Sequence, residues 1–230
     1  MTSDRQYRRS NRVLASTLAI LTIVLFGRFA RSEAQEATPA ARVVWQHTGR
    51  IYVNPKTGKA VYVGYLVHIN GISSSLFSGT PSETTAFFTF STDVLSLTPL
   101  PSNGDFSLSL VSAGTFNVYY NKGPNSDWRD PGTFSRGQLI ATFTREESLL
   151  PQLAAIGFHS LSESLASSRD FKFERQTLNF GRITPHGVTF AQFFSVAPLP
   201  GVTEYPVAFA AVGSTIAIGE NHPDPEPRIE

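Results

Sequence analysis

The amino-acid sequence predicts an all-β fold: a single antiparallel β-sandwich or closed β-barrel of about 8–10 strands with one short helix. Short runs in which apolar and polar residues alternate dominate the chain from residue 42 to 218, which is the pattern of half-buried strands. Clusters of Gly, Pro, Asn and Asp separate those runs at short intervals, and a single stretch carries helical spacing. With 18 Phe against one Met, the expected interior is stiff and aromatic.

The first residues read as an export signal outside the fold. Arg5, Arg8, Arg9 and Arg12 precede an apolar run over residues 13–26, and Ser32-Glu33-Ala34 places small residues where a signal peptidase needs them. The expected signal peptide is 1–34, with cleavage after Ala34 and the bond after Ser32 as competitor. The run is shorter than the roughly 17–25 residues of a spanning helix. Asn11 and Arg12 stand where a twin-arginine signal wants apolar side chains, so a general secretory signal is expected, with a secreted or periplasmic product that meets the membrane only through its signal. Residues 1–34 hold six of the 19 Lys and Arg but two of the 18 Asp and Glu, which leaves the remainder at −3. No basic cluster survives to bind nucleic acid. Cysteine is absent, which excludes a disulfide framework and thiolate metal sites.

Residues 35–41 read as a flexible leader. RVVWQHTGRIYVN and AVYVGYLVHIN then flank Asn54-Pro55-Lys56-Thr57-Gly58-Lys59, a turn with Pro early and Gly late that predicts a hairpin. Pairing Asn54 with Lys59 sets Trp45, Ile51 and Val53 opposite even-numbered partners. The apolar odd face of the second strand (Val61, Val63, Tyr65, Val67, Ile69) then falls on the other side, so a bulge near Gly58, or near the facing Gly49 and Gly64, is expected to restore agreement. A Ser/Gly/Thr/Pro loop over 71–82 should fold down through Ile72, Leu76 and Phe77. Residues 84–94 form the next strand, 98–104 a connection, and 105–111 a strand with Phe106, Leu108 and Leu110 inward and Ser107 and Ser109 outward.

The stretch 114–143 reads as two strands flanking a long polar loop. Phe116, Val118 and Tyr120 share one face, and Leu139, Ala141 and Phe143 share another. Residues 146–156 carry the one helical pattern, with Leu149, Leu150, Leu153 and Ile156 in a stripe, acidic residues at the start, and Pro151 keeping it short. Residues 158–168 read as a strand with His159, Leu161, Glu163 and Leu165 on one face. A hairpin over 170–181, strands over 187–196 and 206–218, and a disordered Pro-rich acidic tail over 219–230 complete the chain. The β-domain is thus expected over 42–218.

Chemical signatures are sparse. The sequence lacks a Gly-x-Ser-x-Gly elbow, a phosphate loop, a dinucleotide fingerprint and a His-Glu-x-x-His pair, so no catalytic residue, cofactor or metal centre is assigned. His47 and His68 would be diagonal neighbours if the Asn54–Lys59 register ran throughout the hairpin; the apolar pattern argues that they lie on opposite faces. His159 and Glu163 share a face near Asp170, where a solvated surface is the expected setting. The long loop at 121–136 carries the candidate ligand-binding residues Asn125, Asp127, Trp128, Arg129 and Asp130. Trp128 there serves either as an exposed platform or as an anchor folding the loop back, the latter expected. Asn121, Asn125, Asp127 and Asp130 are oxygen ligands of the calcium type, but their spacing does not match a calcium loop.

The expected function is therefore an exported, non-catalytic β-domain that binds or assembles through its loops with an unidentified ligand or extracellular partner. Two alternatives stand beside it. One is a β-barrel enclosing a small apolar ligand as carrier or isomerase/cyclase-type enzyme, and the other is a subunit of an extracellular assembly. A hollow interior separates the first alternative from the rest.

Overall fold

Eight antiparallel strands close into a ring because the first strand of the fold is bonded on one side to its hairpin partner and on the other to the last long strand. In the computed structural model, which describes residues 36–153 and 155–219, the strands are β1 (Val43–Asn54), β2 (Lys59–Ile69), β3 (Phe88–Thr92), β4 (Leu95–Asn103), β5 (Phe106–Val111), β6 (Gly114–Tyr120), β7 (Gln138–Arg145), β8 (Ser148–Leu153), β9 (Ile156–Ser168), β10 (Phe171–Phe173), β11 (Gln176–Leu178), β12 (Val188–Ser195), β13 (Leu199–Pro200) and β14 (Val207–Ala217). One four-residue helix, α1 (Phe180–Ile183), follows β11. The barrel runs β1-β14-β12-β9-β7-β6-β3-β2 and back to β1. The expected signal at 1–34 and the tail beyond Gly219 lie outside the described residues. Within the expected leader, Thr38 is buried and its amide donates to the Ile183 carbonyl.

The sheet also branches. From β2 it continues through β4, β5 and β8 to rejoin at β9, so these three strands make an arm that is tied to the barrel at both ends. This arm replaces two expected elements. The connection expected at 98–104 is part of β4, whose bonding to β2 is confined to Leu95 and Ser96, so Pro99 and Pro101 face no missing ladder bond on that side. The helix expected at 146–156 is instead β8, paired residue by residue with β5 from Ser148 to Gln152. Pro151 removes a helical donor but is tolerated opposite Leu108, and the leucine stripe does not build a core. Leu150 alone turns inward, while Leu149, Leu153 and Ile156 are exposed.

That pairing also inverts the expected faces of β5. Ser109 and Val111 face the barrel beside Leu150 and Gln152, and Phe106 is exposed with Leu108 and Leu110 half-buried. The outer surface of β5, β8, β9 and β12 consequently carries Phe106, Leu149, Leu153, Ile156, Phe158 and Phe193.

The β1–β2 hairpin closes as its turn chemistry dictates. Asn54 pairs with Lys59, and Gly58 takes the left-handed conformation (φ +65°) while donating to the Asn54 carbonyl at 2.9 Å. The bulge expected near Gly58, or near Gly49 and Gly64, is not there: the register runs unbroken past the Gly49–Gly64 pair to His47 opposite Leu66, and the shift comes only beyond it, between Gln46 and His47. Both apolar faces of β2 are used. Ala60, Tyr62 and Leu66 line the interior, and Val63, Val61 and Tyr65 pack outside with Phe134, Tyr52 and Trp128. The loop at 121–136 covers that outer face, so an even-inward strand carries an apolar odd face.

Aromatic side chains fill most of the interior. Trp45 is fully buried, with Phe116, Phe143, Phe180 and Phe190 at centroid distances of 5.5–6.5 Å. The β10–β11 hairpin joins this core through Phe173 and Phe171, which lie 5.0 and 5.8 Å from Phe88. Each such side chain contributes about 1.5–3 kcal/mol by leaving water, the main stabilisation open to a chain without disulfides.

Candidate functional site

Strand β9 aims Gly157, His159, Leu161 and Glu163 into the barrel by simple alternation, with exposed Phe158, Ser160, Ser162 and Ser164 between them. Register brings the partners of its polar residues. Arg145 at the end of β7 lies directly across from Glu163, and Gln192 of β12 directly across from His159. The expectation of a solvated His159–Glu163 face is thus overturned: His159 is 3% and Glu163 2% exposed. Asp170 is elsewhere, on the surface with Arg182 at 3.2 Å.

The hydrogen bonds fix the state of His159. The Gln192 amide nitrogen donates to Nδ1 at 3.2 Å, so the remaining ring proton sits on Nε2 and donates to Ser148 Oγ at 2.8 Å. Burial, reinforced by the nearby Arg145 cation, lowers the His159 pKa to about 4, so the neutral ring is the resident form at pH 7. His47 lies deeper, ringed by Phe190, Phe90 and Tyr62 at 5.2–6.1 Å. Burial takes it to about 4 as well, only partly offset by the Gln192 amide, which is close without completing a hydrogen bond to either ring nitrogen.

Arg145 Nε contacts Glu163 Oε1 at 3.0 Å, with side-chain exposures of 4% and 1%. Removal from water outweighs the attraction of Arg145 and raises the Glu163 carboxyl to about 8. The same burial depresses Arg145, against the pull of Glu163 and of Asp93. The pair is half satisfied: among the described residues Arg145 Nη1 and Glu163 Oε2 have no partner, nor do Gln192 Oε1 and Tyr62 Oη. These four residues line a cavity of about 170 Å³ that is otherwise walled by Phe116, Phe190, Leu161 and Ile51 and bounded on the arm side by Leu95, Val111 and Leu150. Buried polar atoms normally find partners, and each one left without costs about 1–3 kcal/mol. Four around one apolar hollow form an arrangement able to orient a small molecule.

The five loop residues singled out from sequence lie on the outside. Trp128 packs on Phe134 at 4.7 Å and Tyr65 at 6.0 Å, the Arg50 guanidinium sits 4.7 Å over its ring, and its carbonyl accepts from the Tyr52 hydroxyl. Asp127 is paired with Arg129 at 3.2 Å and Asp130 with Arg136 at 2.7 Å, while Asn125 is exposed. Trp128 therefore anchors the loop. His68 is exposed opposite Gln46, on the other face from His47, so no shared histidine site forms.

Sequence reasoning passed over Arg145, Gln192 and Tyr62. A signal for the first was present: Arg145 continues the inward parity of Ala141 and Phe143, just as Glu163 continues that of Leu161. Opposite charges on two core-facing parities mark a buried pair, which a strand read as stopping short of Arg145 concealed.

Fold and site together define a closed eight-stranded antiparallel barrel with a branch arm and an incompletely satisfied polar cluster lining a cavity between the two. No family model, curated protein or solved structure matches the chain.

Proposed function

We propose that this protein is an exported binding protein that holds a small, largely apolar molecule in the cavity between its barrel and its arm. The observation that carries this reading is the Arg145–Glu163 pair, two buried side chains that line an apolar cavity and each carry a polar atom with no partner among the described residues. A barrel selected only for stability gains nothing from such a pair, since well-packed hydrophobic residues in its place are commonly neutral or stabilising. A ligand that supplies the missing partners turns the cost into selectivity. The cavity, about 170 Å³, is slightly larger than the roughly 150 Å³ hollow known to admit benzene, which sets the scale of the ligand.

Binding through the loop at 121–136 is the weaker reading. Its one large aromatic is committed to Phe134, Tyr65 and Arg50, and its acidic residues are held by Arg129 and Arg136. The export component rests on the arginine-flanked apolar run and on Ser32-Glu33-Ala34.

Toluene tests the enclosed site directly. It should raise the thermal midpoint of the full chain, and Leu161→Trp, which fills the cavity from β9, should abolish that rise while leaving the barrel folded by circular dichroism. A midpoint unmoved by toluene and equally unmoved by benzoate, each up to its solubility limit, refutes the proposal.

A further inference from the structure

The ligand's chemical class can be taken further on the same site, and this step rests on the enclosed-ligand reading. We infer that the cavity selects a small apolar monocarboxylate of about benzoate size, its two oxygens received by Arg145 Nη1 and Glu163 Oε2 and its hydrocarbon part lying among Phe116, Phe190 and Leu161.

The geometry argues this by charge count. Arg145 and Glu163 are each more than nine-tenths buried, both line the same hollow, and each carries one polar atom with no hydrogen-bond partner among the described residues. A guanidinium, two carboxyl groups and one shared proton sum to zero, the state a dry interior favours. A cationic ligand would leave the guanidinium uncompensated beside a second positive charge. A neutral hydrocarbon would leave both atoms without partners. A carboxylate satisfies them together, with Glu163 in its protonated form donating O–H to one ligand oxygen and Arg145 donating N–H to the other.

The other buried titratable groups around this pair carry no charge. From β9 itself His159 is neutral, held between Gln192 and Ser148. His47 of β1 is neutral at pH 7, Tyr62 of β2 keeps its proton because burial raises its pKa, and Asp93, exposed between β3 and β4, adds its attraction to that of Glu163 on Arg145. Glu163 is therefore the group whose proton controls anion entry.

The test is binding of benzoate, toluene and benzylamine to the full chain by saturation-transfer NMR and calorimetry. Benzoate should bind at least tenfold more tightly than toluene, and benzylamine should not bind. Arg145→Gln should weaken benzoate at least tenfold while leaving toluene within threefold. Benzoate affinity should stay level from pH 6 to 7.5 and then fall as Glu163 ionises, by roughly 30-fold at pH 9.5. Glu163→Gln keeps a donor at that position, so it should bind benzoate and lose that fall; this variant carries the test if Arg145→Gln does not fold. Toluene binding as tightly as benzoate, or an alkaline fall that persists in Glu163→Gln, overturns the carboxylate inference and leaves the enclosed site intact. Failure of all three probes removes both.

Discussion

The interior titratable groups predict a stability maximum near pH 6.5, an outcome that depends on their opposing directions. Glu163 is raised by burial from 4.5 to about 8, whereas His47 and His159 are lowered from 6.5 to about 4. The carboxyl contributes stability that is complete below its unfolded value and lost as pH rises through about 8. The histidines, buried neutral, contribute stability that is complete above 6.5 and lost as pH falls toward 4. Between pH 4.5 and 6.5 the unfolded chain holds two more protons on the histidines and one fewer on the carboxyl. Stability should therefore climb by about 1.4 kcal/mol per unit, roughly 3 kcal/mol across the interval. Above 6.5 only the carboxyl differs, and stability should decline at the same rate, by about 2 kcal/mol at pH 8, before levelling. Urea unfolding followed by tryptophan fluorescence at pH 5, 6.5 and 8 reads this directly, because both indoles are at least partly enclosed. Glu163→Gln should remove the alkaline limb and keep the acid one. A wild-type midpoint in urea that rises or stays flat from pH 6.5 to 8 would refute the assignment of a protonated carboxyl to the interior.

Two further outcomes follow from packing. Trp128→Ala should cost about 2 kcal/mol through loss of the contacts with Phe134, Tyr65 and Arg50, measured as a drop in urea midpoint, while the toluene response of the cavity stays unchanged. Gly213→Val should cost at least about 3 kcal/mol: a Cβ there already meets the Ala191 carbonyl at 2.6 Å and His47 and Gln192 at 2.8 Å. An unchanged melting midpoint would show that β14 has room the geometry denies.

Alternation and turn chemistry were enough to place most strands, the Asn54–Lys59 hairpin and the separation of His47 and His68 onto opposite faces. They failed where one physical rule was read without its tertiary partner. The leucines of β8 match helical spacing, yet pairing with β5 decides their conformation, and three of the four expected stripe residues stay exposed. The apolar odd face of β2 suggested the interior, but a strand covered on both sides carries no parity signal, and here the outer cover is the loop held by Trp128. The site was hidden for a related reason. His159 and Glu163 were visible as a shared face, but whether that face meets water or a cavity depends on ring closure. Their partners Arg145 and Gln192 come from strands that no local pattern links to β9.

Ring closure also has a kinetic side. Val43 near the start of the fold is bonded to β14, at Ile216 near its end, so the last seam of the barrel has no local route to formation. Such distant pairings are slow to form, because the entropy of a long loop is lost before any contact compensates it. A nascent chain emerging amino-terminus first cannot lock this barrel until nearly all of its strands have been made.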